Sequence, residues 1–448
     1  HGGYWHPDGN WIVFGANESD NYENGDFYRI SPSGEEKKII FSIKDGSLDG
    51  GWPFDQSGKT MAVASNATGQ WQPGVMDWQN NEIKWFGDKQ TNESPTDISP
   101  NGNQLLTIKE KDGASTPLLY DLEKGTSRHL ALPEGVVAIA KFIDEETLFL
   151  SHQDPQKASR LLVYDLADDT FKEALCPSYG KLESSVFSPG EHVYYESTDG
   201  LKIGAILHRP DKKRYPGKRP GVLCVHGGPN VHRSLGFNPL CKLLTDSGYV
   251  VLEPNYRGST GYGKEFSEKN RKDLGGGDVQ DLVAGANFLK AQKLVLENKV
   301  AVMGGSYGGY LTYQAMVTQP ELWAAGIAIV GITDWKLLYD TSAKHFQTKI
   351  EQLFGPYETT KDLLIDRSPI TRAHQLKAPL LMVQGQNDPR CPVEQARVFK
   401  DKLLELGKVE GKDFEYLELE DIGHGSTLKG DKAKLWRRYL DYLGKHLY

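Results

Sequence analysis

The sequence predicts two domains of different grammar. Residues 1–190 read as a repeat-built all-β domain, and residues 191–448 as a doubly wound α/β domain on a mostly parallel sheet. Three observations point this way. Turn clusters recur through the first part at about 45-residue spacing, each followed by a β-like apolar run. From about residue 191, strand-like and helix-like patterns alternate instead. At 448 residues the chain is also too long for one ordinary domain.

In the first part the clusters are His6-Pro7-Asp8-Gly9, Asp55-Gln56-Ser57-Gly58, Ser99-Pro100-Asn101-Gly102 and Ile143-Asp144-Glu145-Glu146. The apolar runs that follow are Trp11–Phe14, Met61–Ala64, Gln104–Thr107 and Thr147–Leu150. Second runs such as Pro117–Asp121 and Arg160–Asp165 close in turns at Glu123–Gly125 and Asp168–Asp169. Repeats of this length built from short strands are the signature of propeller blades, with a β-sandwich of regular turns as the alternative. Four such units fit before residue 190, so the propeller is either genuinely small or lacks its first blades. Tyr4–Gly9 already reads as the interior of a blade, which keeps truncation open. The opening His1-Gly2-Gly3 has neither an initiator Met nor a signal peptide, and reads as a cut, processed or artificial end.

In the second part the strand candidates are His192–Ser197, Lys202–His208, Gly221–Val225, Tyr249–Glu253, Lys299–Met303, Ala325–Val330, Leu380–Gln384 and Phe414–Glu418. Helical spacing puts Val279, Leu282, Val283, Ala286 and Leu289 on one face. The same holds for Phe399, Leu403 and Leu406, and for Leu435, Tyr439 and Leu443. Ligands bind such sheets beyond the carboxyl ends of the strands.

Composition narrows the partners. A net charge of −8, with no run of five basic residues, argues against nucleic acid or an anionic membrane. No apolar stretch reaches the ~18 residues of a membrane span. The four cysteines (Cys176, Cys224, Cys241, Cys391) match no zinc spacing and read as free, buried thiols of a reducing compartment, which makes a cytoplasmic location the expectation. Lys212–Arg214, Glu35-Glu36 and Glu145-Glu146 read as solvated loop charges.

The chemistry lies in three segments. Gly304-Gly305-Ser306-Tyr307-Gly308 is a G-x-S-x-G elbow between the apolar run Lys299–Met303 and a helical pattern over Tyr307–Thr318. Asp388 follows the buried-type strand Leu380–Gln384, and His424 stands between Gly423 and Gly425 after the last strand. The order Ser, Asp, His is that of an α/β-hydrolase fold. A serine hydroxyl needs a base to attack, and the base needs a carboxylate to hold its tautomer. Ser306, His424 and Asp388 are therefore the expected catalytic residues, with activity falling as the base protonates at low pH. An Asx-turn is the alternative for Asp388, and His226 is the rival histidine. His226-Gly227-Gly228-Pro229 exposes backbone N–H groups after a strand, so the oxyanion donors are assigned to Gly228 and Tyr307. Gly275-Gly276-Gly277 lacks the lysine of a phosphate loop, and Asp278 reads as the N-cap of the next helix. Cys391 reads as a pocket-wall residue.

Together these motifs resemble the prolyl oligopeptidase family of serine peptidases, most closely its acylaminoacyl-peptidase-like branch. The resemblance is carried by His226–Pro229, Asn255–Gly263, Asp278–Asp281, Gly304–Tyr310, Gly331–Trp335, Asn387–Arg390 and Gly423–Gly425. It implies an N-terminal β-propeller, the triad Ser306, Asp388 and His424, and Arg390 as the group that binds a substrate carbonyl. It also implies no cofactor, no metal, and a short peptide or small acyl substrate; a homo-oligomer is compatible with it. Trp335, His345 and Phe346 fall where relatives build part of the specificity pocket. Relatives carry about seven or eight blades, which puts size filtering by a closed propeller in doubt here. The paired-Glu motif of dipeptidyl peptidases has no counterpart in the sequence, which disfavours that specificity. A carboxylesterase built from the same parts is the runner-up, and a non-catalytic binding protein the third reading.

Overall fold

The structure, a computed structural model, describes residues 3–19, 21, 24–425 and 429–448, without the Lys429 side chain. The chain divides into two compact units. One is His1–Val186 with Ser234–Phe237 and Gly261–Glu265; the other is Phe187–Arg233 with Asn238–Thr260 and Phe266–Tyr448.

The first unit contains four antiparallel four-stranded meanders among its described residues. They are β1 (Tyr4–Trp5), β2 (Ile12–Ala16), β3 (Asp26–Ile30) and β4 (Lys37–Phe41); β5 (Asp49–Phe54), β6 (Thr60–Ser65), β7 (Gln72–Asp77) and β8 (Ile83–Trp85); β9 (Asn92–Ile98), β10 (Gln104–Lys111), β11 (Ala114–Asp121) and β12 (Thr126–His129); and β13 (Val136–Phe142), β14 (Thr147–Asp154), β15 (Lys157–Asp165) and β16 (Thr170–Leu175). Each turn cluster falls between the first and second strand of a sheet. The chemistry of these turns is local. Thr60 N–H donates to Asp55 Oδ1 at 3.0 Å and Gln104 N–H to Ser99 Oγ at 2.9 Å, so in these two turns the side chain that opens the turn also closes it.

Side-chain alternation along the strands makes the sheets pack in series. Met61 and Val63 of β6 join Val13, Phe27 and Phe41 of the first sheet, whereas Ala62 between them joins Leu105 and Leu118 of the third. Leu106 and Leu119 then face Leu148, Leu150 and Tyr164 of the fourth. Two-sided burial of this kind requires the two-residue period of a strand.

The second unit holds one eight-stranded sheet made of β17 (Gly190–Glu196), β18 (Lys202–His208), β19 (Arg219–Val225), β20 (Val250–Asn255), β21 (Val295–Gly305), β22 (Ala325–Ile329), β23 (Leu380–Gly385) and β24 (Phe414–Leu419). Its order is β17-β18-β20-β19-β21-β22-β23-β24. The β17/β18 and β18/β20 pairs are antiparallel and the rest are parallel. Every strand expected from the sequence in this half falls on one of these, with β21 reaching back to Val295.

The helices are α1 (Pro239–Asp246), α2 (Lys264–Glu268), α3 (Gly277–Ala291), α4 (Tyr307–Thr318), α5 (Trp335–Thr341), α6 (Lys344–Phe354), α7 (Tyr357–Asp366), α8 (Glu394–Glu405) and α9 (Lys429–Leu447). The core joins Val222, Val251, Met303, Ile327 and Leu381 of the sheet to Leu244 of α1 and Tyr439, Tyr442 and Leu443 of α9. Each fully buried aliphatic side chain there contributes about 1.5–3 kcal/mol. No helix of the described residues is long and apolar enough to cross a membrane. One expectation fails: Cys176 is exposed, hydrogen-bonded to Glu173 just past the end of β16, and only the other three free thiols are buried.

Candidate active site

Because β19, β21, β23 and β24 run parallel, their carboxyl ends share one edge of the sheet, and the expected site residues follow those ends. Ser306 sits between β21 and α4 with φ 59° and ψ −122°. That backbone conformation is sparsely populated for a side chain larger than hydrogen. It is held on both sides. Ser306 N–H donates to Ile329 O at 2.9 Å, and Tyr310 N–H donates to Ser306 O at 2.9 Å. The glycines around it serve close packing: a Cβ on Gly308 would stand 2.3 Å from Val225 O, and one on Gly304 would stand 2.6 Å from Gly308 O.

Three side chains meet there. His424 Nε2 lies 2.9 Å from Ser306 Oγ, and His424 Nδ1 lies 2.7 Å from Asp388 Oδ2 and 2.9 Å from Oδ1. The backbone N–H groups of Arg390 and Cys391 donate to Asp388 Oδ1 at 2.8 and 2.9 Å, so the carboxylate caps its own loop while its side chain is wholly shielded from water. A hydroxyl, an imidazole and a buried carboxylate in series can move a proton off the hydroxyl and stabilise the imidazolium that forms.

The rival His226 is elsewhere in the network. It is buried, with Nε2 3.0 Å from Ser259 Oγ, and its ring stacks on Tyr256 at 4.2 Å. Burial holds it down to about 3, so it stays neutral. Its loop packs on the elbow: a Cβ on Gly227 would stand 3.3 Å from Ser306 Cβ. Gly228, at φ +120°, is the next residue, and Tyr307 opens α4 where leading N–H groups lack intrahelical acceptors.

Other expectations land differently. Asp278 is not an N-cap. Gly276 holds that position, and Asp278 lies in the first turn of α3, fully buried, accepting the Tyr307 hydroxyl at 2.5 Å. The capping reading missed this because the partner lies 29 residues away. Arg390 presents an exposed side chain beside the carboxylate loop, and Cys391 is buried with its carbonyl bonded to Gln384 Nε2. Trp335 is buried edge-on to Tyr310 and Phe354, whereas His345 of α6 is exposed.

Residues 236–448 match the model of the "Prolyl oligopeptidase family". Over that region the chain is similar to the prolyl oligopeptidase family. Dipeptidyl aminopeptidase BIII of Pseudoxanthomonas mexicana is 33% identical over 304 residues, 65% of this chain and 43% of its own length. The acylamino-acid-releasing enzyme of Sus scrofa is 30% identical over 211 residues, 46% of this chain and 28% of its own. The chain thus spans less than half the length of these curated relatives. A crystal structure of puromycin hydrolase superposes with a TM-score of 0.88 at 21% identity, covering 99% of this chain and 69% of that one. An acylaminoacyl peptidase in complex with Z-Gly-Gly-Phe-chloromethyl ketone gives 0.79 at 23% identity, covering 100% and 70%. The chain therefore shares the fold of these two structures. Relatives named for dipeptidyl and for acylamino-acid release both match, so the similarity does not separate those specificities.

One further cluster has the composition of a metal site. Among the described residues His208, Cys241 and Glu253 bring ligand atoms within 4.8 Å of one another. Cations already serve two of them: Lys242 Nζ is 3.0 Å from His208 Nδ1, and Arg233 Nε is 3.2 Å from Glu253 Oε2. Glu253 is fully buried, which opposes its charge. The His208 hydrogen bond and the Arg233 charge nevertheless bring it down to about 2. The cluster is an ion-pair network that ties β18, β20 and α1 together.

Proposed function

We propose that the protein is a serine peptidase that hydrolyses short peptides, N-acylated ones included, through an acyl-enzyme on Ser306. The observation that carries this reading is the His424 ring between Ser306 Oγ at 2.9 Å and Asp388 Oδ2 at 2.7 Å. Ser306 Oγ attacks the scissile carbonyl while His424 Nε2 takes its proton. The oxyanion is received by the N–H groups of Gly228 and Tyr307. The C–N bond then breaks as His424 returns the proton to the leaving amine. Water repeats the sequence, giving its proton to His424 and its hydroxyl to the acyl carbon, and Ser306 regains a proton. Asp388 holds the imidazole tautomer throughout. Arg390, exposed close in sequence to Asp388, is proposed as the group that binds a substrate carbonyl.

The four serially packed sheets of the first unit are read as a β-propeller of about four blades. Their turn-for-turn repetition and alternating faces support that reading. The acylaminoacyl-peptidase-like assignment is taken over the dipeptidyl one on the resemblance of the catalytic-half motifs, and the substrate comparison below decides between them.

The test is covalent labelling with a fluorophosphonate, followed by kcat/KM for N-acetyl-alanyl p-nitroanilide and its free-amine counterpart. Wild type should label and turn over the acetylated compound faster, and Ser306→Ala should fold but do neither. Preference for the free amine would sink the acylaminoacyl assignment. Labelling that persists in Ser306→Ala would remove the nucleophile. Turnover of acetyl esters with no amide hydrolysis would make the protein a carboxylesterase.

A further inference from the structure

The residue after the nucleophile is gripped by its side chain as well as by its helix. Tyr307 is 2% exposed, and its hydroxyl donates to Asp278 Oδ2 at 2.5 Å. Asp278 is itself immobilised, because Val279 N–H donates to its Oδ1 at 2.9 Å and α3 fixes its backbone. The Tyr307 ring lies 5.3 Å from the Tyr310 ring and 6.1 Å from the Tyr256 ring. Tyr310 is anchored in turn, its hydroxyl bonding Leu274 O and Arg367 O. Tyr256 carries the link to the opposite loop: its hydroxyl donates to His226 O at 2.9 Å, immediately before Gly227 and Gly228.

Both backbone segments that face the nucleophile therefore rest on one buried aromatic layer, and Asp278 pins the Tyr307 end of it. An oxyanion hole works only when its donors are already in place as charge develops, and small displacements there are costly. A buried carboxylate is an expensive way to hold a phenol if packing alone would serve.

Resting on the reading of Ser306 as the acylated nucleophile, we propose that Asp278 is a positioning residue. Through the Tyr307 hydroxyl it fixes the Ser306–Tyr307 peptide whose N–H stabilises the oxyanion. It touches no substrate. Its action is on transition-state stabilisation rather than on substrate binding, so it belongs in kcat and not in KM.

The experiment compares Tyr307→Phe, Asp278→Ala and Asp278→Asn with wild type on a peptide p-nitroanilide, each rate normalised to sites titrated with a fluorophosphonate. Tyr307→Phe and Asp278→Ala should each lower kcat about tenfold or more with KM held within about twofold. Asp278→Asn should recover most of that loss. Its amide oxygen keeps the Val279 N–H, and its amide nitrogen meets the Tyr307 oxygen with the hydrogen bond reversed. If Asp278→Ala does not fold, Tyr307→Phe and Asp278→Asn carry the comparison. A Tyr307→Phe enzyme with unchanged kcat per titrated site overturns the proposal, and so does a rise in KM alone, which would make the ring a pocket wall. A wild-type protein that neither labels nor turns over removes the parent reading instead, and this one with it.

Discussion

Asp388 and His424 are joined through both carboxylate oxygens, Oδ2 at 2.7 Å and Oδ1 at 2.9 Å from Nδ1, although among the described residues only Oδ1 also receives backbone donors. This asymmetry makes the outcome of Asp388→Asn specific. The amide oxygen would stay with the N–H groups of Arg390 and Cys391, leaving the amide nitrogen to donate to His424 Nδ1. The ring proton would then sit on Nε2 and point at Ser306, which no longer has a base. We expect kcat to fall on the order of 10⁴-fold with little change in melting temperature. Activity within about tenfold of wild type would show that the carboxylate does not set the tautomer.

The elbow predicts a packing defect separable from chemistry. A methyl on Gly308 would stand 2.3 Å from Val225 O and 2.7 Å from His226 O, both backbone atoms that cannot swing aside. Gly308→Ala should destabilise the fold by about 1–3 kcal/mol or more. Urea titration of the otherwise intact chain checks this, and an unchanged midpoint would mean that β19 and α4 can separate without cost.

Asp278 makes stability depend on pH in a definite direction. Burial, with Asp281 and Asp273 adding repulsion and the Tyr307 hydrogen bond opposing, pushes its carboxyl from 3.8 up to about 7. A carboxyl that keeps its proton longer when folded than when unfolded favours the fold fully below pH 3.8. That contribution is lost as pH rises to about 7. Asp278→Asn cannot ionise, so its stability relative to wild type should rise across that window, by about 4 kcal/mol at the upper end. Unfolding free energies of both proteins at pH 4, 6 and 8 decide it; parallel curves would mean that the site stays charged or neutral throughout.

Arg257 is the counterpart case, a buried cation with two acids. Its guanidinium bonds both Asp281 oxygens at 2.8 and 3.0 Å and reaches Asp199 at 2.9 and 3.0 Å. Arg257→Met leaves the shielded Asp281 carboxylate uncompensated and should cost about 3–5 kcal/mol. Adding Asp281→Leu should return a large part of that loss. A double variant no more stable than the single one would place the cost in packing instead of charge.

How far the sequence could be read follows from the range of the forces involved. Strand alternation, turn residues and helical spacing act over a few residues, so all eight strands of the large sheet and the helix after Ser306 were legible. The turns opening at Asp55 and Ser99 were equally so, because their hydrogen bonds close within five residues. Five helices, α1, α2, α5, α6 and α7, were not foreseen. They run to eleven residues at most, a length at which packing holds a helix more than propensity does.

By itself the sequence determined the order Ser306, Asp388, His424 and the strand ends that carry them, because a G-x-S-x-G turn between strand and helix is a local solution to a local geometry. Only the tertiary structure decided which histidine reaches the hydroxyl. His226 lies near in space as well, yet its nitrogen is turned to Ser259 and its ring against Tyr256. Only tertiary structure, too, gave Asp278 its partner and left Cys176 in water. Those outcomes depend on contacts between segments far apart in the chain, where neither periodicity nor capping preference leaves a trace.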